Sequence, residues 1–215
     1  MHKKKGAFIT FEGCEGCGKT TQIDRLSENL QNLNIPIAVT REPGGTCIGE
    51  MIRHILIEYN NSEAMRPETE LLLFTASRAQ LVRELILPSL ECGKFILCDR
   101  FLDSTTVYQG MARQLAKDPV KSINKFAIGD LMPDLTIVID IPADESLRRV
   151  QRRVRSLPDR MERESIDFYR AVRDGYLWLA QQYPERFFLV DGMKSITEVS
   201  QEIWKFVRER FAIES

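Results

Sequence analysis

The run Gly13-Cys14-Glu15-Gly16-Cys17-Gly18-Lys19-Thr20 carries chemistry in its spacing, because it fits G-x-x-x-x-G-K-[ST]. Its glycines let successive backbone N–H groups converge on phosphate oxygens. A helix opening at the end of the run adds the positive end of its dipole. Lys19 is then placed to reach the β- and γ-phosphates of a nucleotide, and the Thr20 hydroxyl to meet Mg²⁺. The whole stretch from Gly13 to Thr21 is expected to hold the phosphate donor. A second metal carboxylate belongs at the end of another strand. Asp99, after Phe95-Ile96-Leu97-Cys98, is the best candidate, and Arg100 beside it can hold a second phosphate. Asp140 is its rival, although it sits inside an apolar run. A turn-capping role is the plain alternative for Asp99.

A second constellation lies further along. Phe74 and Arg78 are four apart on a predicted helix and share a face. Thr105 and Gln109 are also four apart, with Ser104 and Tyr108 alongside. A flat ring, a guanidinium and an amide can enclose a planar base. The same spacing also suits a core Phe74 with a solvated Arg78, since phenylalanine is usually buried. A third feature is Arg148 to Arg163, with arginines at 148, 149, 152, 153, 155, 160 and 163. Transfer between two polyanions needs positive charge where negative charge develops, shielded from water. A basic mobile lid over about 148–163 meets both needs. Arg153 and Arg155 are its expected working residues, while Arg148, Arg149 and Arg163 read as solvated charges.

The elements that must position these residues alternate along the chain. Strands are predicted over Ala7–Glu12, Ile35–Val39, Phe95–Cys98, Leu135–Ile141 and Phe187–Val190. Helical spacing covers Thr20–Leu33, Ile48–Glu58, Pro67–Leu87 (ended by Pro88) and Thr197–Phe211. Short apolar strands between helices predict an α/β fold: a five-stranded, mainly parallel, doubly wound sheet with helices on both faces. No linker or repeat divides the chain, so residues 1–215 read as a single domain with the lid as a short excursion.

Composition narrows the class further. The 215 residues hold 30 Lys plus Arg against 31 Asp plus Glu, which argues against a general nucleic-acid polymer binder. No apolar run reaches the roughly 18 residues of a membrane span, and the stretch after the basic start is too short for a secretory signal. Five cysteines with two histidines fit no zinc pattern, and reduced thiols in a cytoplasmic protein are the expected state. A redox role for Cys14-x-x-Cys17 is the weaker reading. No Asn-Lys-x-Asp tetrad follows the loop, so a guanine-nucleotide switch is disfavoured. Length and the late arginine cluster favour a small-molecule kinase.

Five segments together resemble one family. Phe-Glu-Gly-Cys-Glu-Gly-Cys-Gly-Lys-Thr-Thr (11–21), Thr-Arg-Glu-Pro-Gly-Gly-Thr (40–46), Phe-Thr-Ala-Ser-Arg-Ala-Gln (74–80), Asp-Arg-Phe (99–101) and Ser-Thr-Thr-Val-Tyr-Gln-Gly (104–110) are similar, in order and spacing, to thymidylate kinases. These are nucleoside monophosphate kinases of the P-loop class. The resemblance implies transfer of phosphate from ATP to dTMP with Mg²⁺. It implies that Phe74 stacks on thymine, that Arg78 donates to O4, and that Thr105 with Gln109 meets N3–H. Tyr108 would lie under the deoxyribose and leave no room for a 2′-hydroxyl. Glu15 would hold the 3′-hydroxyl, while Arg100 and Arg53 would bind the acceptor phosphate. Lys19, Arg100, Arg153 and Arg155 would be the catalytic residues. Arg153 and Arg155 match the lid arginines of the bacterial branch, and the loop itself holds no arginine. A homodimer is the usual assembly, with Ile48–Leu56 and Leu71–Leu87 as candidate surfaces. The alternatives are another pyrimidine nucleotide or nucleoside kinase, a kinase for a non-nucleotide alcohol, and a catalytically silent nucleotide-binding module.

Overall fold

A computed structural model of the chain describes residues 6–58, 65–113, 115–152 and 164–214. Five strands form one sheet: β1 (Ala7–Glu12), β2 (Ile37–Arg41), β3 (Phe95–Asp99), β4 (Leu135–Asp140) and β5 (Phe187–Asp191). Their order is β2-β3-β1-β4-β5 and every pairing is parallel. A parallel sheet collects all its strand C-termini at one edge, where ligands of such folds bind. Register brings Phe11 level with Asp99, and Asp140 level with Asp191, along that edge.

Alternation along β1 decides which side chains go where. Ile9 and Phe11 face one layer, packed with Ile23, Leu26 and Leu30 of α1 (Lys19–Asn32) and with Ile203 and Val207 near the C-terminus. Phe8, Thr10 and Glu12 face the other layer, and all three are fully buried. Phe8 packs there against Leu81, Ile86 and Phe101. A carboxylate at the end of an apolar strand is thereby carried into the interior of the second layer.

The helix over Pro67–Leu87 does not stop before Pro88. It runs as α3 (Pro67–Leu81), widens to a π-helical turn over Val82–Ile86, and continues as α4 (Leu87–Glu91) with Pro88 in its first turn. Leu87 N–H donates to the Val82 carbonyl, five residues back. The wider turn places the bond that Pro88 cannot make in a stretch whose ladder has already shifted, so the proline is tolerated. A second π-helical stretch, Thr106–Ala112, follows α5 (Leu102–Thr105) and lies at the site described below. β2 begins two residues later than expected. Pro36 has no N–H to give, and its carbonyl instead accepts from Phe95 N–H as the ladder starts.

Four further helices complete the layers: α2 (Cys47–Glu58), α6 (Lys117–Ile128), α7 (Ala143–Gln151) and α8 (Ile166–Gln182). α9 (Ile196–Arg210) is opened by a capping box between Ser195 and Glu198. Buried Tyr169, Val172, Tyr176 and Leu179 form the inner face of α8. A Cβ on Gly175 would come within 3.0 Å of Val107 and Met111, so this glycine lets α8 close on the π-helical stretch.

Candidate functional site

The phosphate loop connects β1 to α1 at the sheet's C-terminal edge. Gly13 has φ 132, and a Cβ there would meet the Ile139 carbonyl at 2.6 Å and Cys17 Sγ at 2.9 Å. Only glycine fits both the angle and the space. Gly18, at φ 103, is the N-cap of α1. Lys19 arches back over the loop. Its Nζ donates to the carbonyls of Gly13 (3.2 Å) and Cys14 (3.0 Å), and the side chain is buried. Thr20 Oγ1 donates to Asp99 Oδ2 at 3.1 Å, joining α1 to the end of β3. Asp140 is engaged elsewhere, since Arg173 grips both its oxygens at 2.7 and 2.8 Å. The geometry therefore separates the two rival carboxylates. Burial pushes the Cys14 thiol up to about 12, with Cys17 adding to it, which disfavours a reactive thiolate at Cys14.

Beside the loop lies a cleft of about 100 Å³, partly open to solvent. Glu15, Arg53, Phe74, Arg100, Thr105, Tyr108 and Gln109 all reach its wall. Phe74 is half-buried rather than a core residue. Arg78 is neither solvated nor in the wall; it lies one layer behind. Its side chain is 1% exposed and donates through Nε to Glu42 (2.8 Å), through Nη1 to Asn124 (2.5 Å) and through Nη2 to Thr105 Oγ1 (2.8 Å). Burial pushes the Glu42 carboxyl up to about 7 despite the opposing charge of Arg78. Glu42 Oε1 is buried without a hydrogen-bond partner among the described residues.

Arg100 joins cleft and loop. Its backbone has φ 72, a strained setting for a side chain of this size, held by N–H donation to the Phe11 carbonyl at 3.0 Å. The guanidinium pairs with Glu15 at 2.5 Å and donates to the Gly13 carbonyl at 3.1 Å. It lies 5.1 Å above the Tyr108 ring, a cation–π distance. Behind it, Arg100 Nη1 reaches Ser104 Oγ (3.2 Å) and Tyr176 OH (3.3 Å). Both hydroxyls in turn meet Glu12 Oε2, at 2.6 and 2.8 Å, and Phe101 N–H donates to Glu12 Oε1 at 2.8 Å. Burial, reinforced by Asp103, pushes the Glu12 carboxyl up to about 7, against the pull of Arg100 and the two hydroxyls.

On the other side of the loop a pocket is walled by Cys17, Thr21, Ile139, Arg149 and Gly192. Arg149 is therefore not a plain surface charge. It pairs with Glu145 at 2.6 Å and donates to the Gly192 carbonyl at 3.3 Å. Arg148 does keep to the surface, paired with Glu145. Both belong to the last turns of α7, whose Ser146 hydroxyl donates to the Glu15 carbonyl and so ties α7 to the loop. Arg153, Arg155 and Arg163 lie outside the described residues.

With this arrangement described, comparison with known proteins decides the family. A sequence model described as "Thymidylate kinase" matches residues 11–203. The chain belongs to the thymidylate kinase family. Among its relatives, the thymidylate kinase of Thermoanaerobacter sp. (strain X514) is 49% identical over 205 residues, covering 95% of this chain and 98% of the relative. That of Caldanaerobacter subterraneus subsp. tengcongensis is 46% identical, covering 95% and 96%. That of Kosmotoga olearia is 45% identical, covering 92% and 93%.

Sequence reasoning missed several residues that this family member gathers round the cleft. Glu12, Glu42, Glu70, Asn124 and Tyr176 are buried and polar or phenolic, and each touches a residue of the site. The signal for Tyr176 was present in the helical spacing of Tyr169, Val172, Tyr176 and Leu179. Glu12 and Glu42 lie within two of the segments that resemble the family, where no role was read for them, and no local pattern marks Glu70 and Asn124.

Proposed function

We propose that this chain transfers the γ-phosphate of ATP to dTMP, giving dTDP and ADP. One observation supports this above the others. A cleft bearing a half-buried aromatic ring, a hydroxyl and an amide meets the phosphate loop at Glu15 and Arg100. A nucleoside monophosphate in that cleft would present its phosphate toward the loop, as in-line transfer requires.

The residues divide by task. Gly13, Cys14, Glu15, Gly16, Cys17, Gly18, Lys19, Thr20 and Thr21 bind the donor phosphates through backbone N–H groups and Lys19. Phe74 stacks on thymine, and Thr105 and Gln109 meet N3–H. Arg78 stands one layer behind the wall, where its fixed guanidinium aligns Thr105 toward the base edge. Tyr108 bounds the sugar, Glu15 holds the 3′-hydroxyl, and Arg53 and Arg100 bind the acceptor phosphate. Lys19, Arg100 and the lid residues Arg153 and Arg155 neutralise charge as an acceptor oxygen bonds to the γ-phosphorus and the bond to ADP breaks. The acceptor phosphate is already an anion, so no general base is needed. Thr20 and Asp99 offer two hard oxygens 3.1 Å apart, a donor set suited to Mg²⁺, which usually keeps one or two protein ligands with substrate phosphates and water. The ion supplies charge neutralisation of the phosphates when bound.

The chain is read as one domain and as cytoplasmic; among the described residues no helix is long and apolar enough to cross a membrane. Exposed Ile48, Met51 and Ile55 on α2 and Leu72 on α3 support pairing of two copies through these helices. A side-by-side assay of dTMP, dUMP, dCMP and UMP tests the reading. Turnover of dTMP above dCMP and UMP is expected. Preference for dCMP overturns the assignment of Thr105 and Gln109 to N3–H, and good use of UMP overturns that of Tyr108. ATP binding without ADP production in the presence of dTMP would mark a silent nucleotide-binding module.

A further inference from the structure

Gln109 lines the cleft, yet its side-chain amide can present either of two chemistries. Rotated one way it offers an acceptor oxygen to a ligand, and rotated the other way an NH₂ donor. The choice is made by whatever holds its far side. Here that is Glu70, on the first turn of α3, which is 1% exposed. Gln109 Nε2 donates to Glu70 Oε1 at 2.6 Å. Glu70 is itself held from the other side by Arg113, whose Nη2 lies 3.4 Å from Glu70 Oε2. Arg113 stacks 4.9 Å above Phe168 and pairs with Glu164 at 2.5 Å. A carboxylate paired with a guanidinium accepts and does not donate, so it admits only the NH₂ side of the amide. No hydrogen bond among the described residues reaches Gln109 Oε1, which is the amide atom left for the cleft.

We propose that Glu70, acting through the Gln109 amide, is a positioning residue that sets base specificity by presenting Gln109 Oε1 as an acceptor to a pyrimidine carrying N3–H. Thymine and uracil carry that proton, whereas the N3 of cytosine is itself an acceptor and meets a like lone pair. The proposal rests on the base reading of the cleft given above. It places part of the discrimination against cytosine in a residue that does not touch the base. Gln109 lies within the π-helical stretch, and its side chain reaches Glu70 of α3.

Four proteins test it: the wild type, Glu70→Gln, Gln109→Ala and the double variant, each assayed for kcat/KM with dTMP and with dCMP. A glutamine at 70 keeps the size but accepts or donates equally, so either rotamer of Gln109 becomes allowed. Glu70→Gln is expected to lower the dTMP-to-dCMP ratio about tenfold, the scale of one hydrogen bond. In the Gln109→Ala background the same change is expected to leave the ratio where it was. Thermal melts of each variant separate a folding loss, which lowers both substrates together, from a specificity loss. An unchanged ratio in Glu70→Gln, or an equal drop with and without Gln109, overturns the proposal. Wild-type protein that does not phosphorylate dTMP overturns the underlying reading instead, and that outcome is seen before any variant is made. If Glu70→Gln fails to fold, Glu70→Asp takes its place. It keeps an acceptor, so the ratio is expected to stay within about twofold of wild type while dTMP turnover falls.

Discussion

The two sides of the site are built by different means. The phosphate loop does its work with backbone within a few consecutive residues, and Lys19 rests on carbonyls five and six positions away. The acceptor side is a mesh of side chains drawn from distant segments: Glu12 meets Tyr176 across 164 positions, and Arg78 meets Asn124 across 46. Removing a side chain from the first should cost chemistry and little stability. Removing one from the second should cost both, because its partners are buried and left unpaired.

Arg78→Met gives the largest expected effect. It strands the Glu42 carboxyl, whose Oε1 already has no partner among the described residues, and it unpins Thr105. Breaking a buried pair costs about 3–5 kcal/mol, read by urea unfolding, together with loss of dTMP turnover. A variant as stable as wild type would erase the contrast between the two sides. Lys19→Ala is expected to lower kcat by about 10²–10³ while the melting temperature stays within a few degrees. If it unfolds instead, the loop is as structural as the mesh.

A third test uses pH. Glu12 has an ordinary pKa of 4.5 when exposed and one of about 7 in the fold. Below 4.5 it is protonated in both states. Between the two values the unfolded chain ionises first, so the folded state loses stability as pH rises, and the loss levels off above 7. Glu12→Gln removes this dependence. Its stability relative to wild type is expected to rise with pH through that window, measured by chemical denaturation at several pH values. A difference that does not vary with pH would show that Glu12 is not shifted. The smallest expected effect is Ser146→Ala, which cuts the tether from α7 to the loop. It should cost about 1 kcal/mol and only modestly weaken ATP binding.

Much of the fold was legible because its signals are local. Ala7–Glu12 and Leu135–Asp140 are short apolar runs buried on both faces, and the α9 start is written in Ser195 and Glu198. Pro88 misled because a proline reads as a stop, while a π-helical turn just upstream removes the conflict. Arg149 misled for a similar reason: a charge run predicts solvent, yet α7 lays one of its arginines against Gly192. Arg78 offered two readings by spacing, and neither described a guanidinium held by Glu42, Asn124 and Thr105 behind the cleft.

The sequence by itself determined the phosphate loop, the alternation of strands and helices, and the family. Those depend on residue types at short, fixed spacing, where backbone geometry leaves few choices. Only the tertiary structure decided that Glu12 lies under Arg100, that Arg78 stands one layer back from the cleft, and that Glu70 holds the Gln109 amide. A hydrogen bond between residues 39 positions apart has no signature along the chain. It exists because the sheet brings its strand ends to one edge and the helices close over them, leaving each buried polar group to find a partner there.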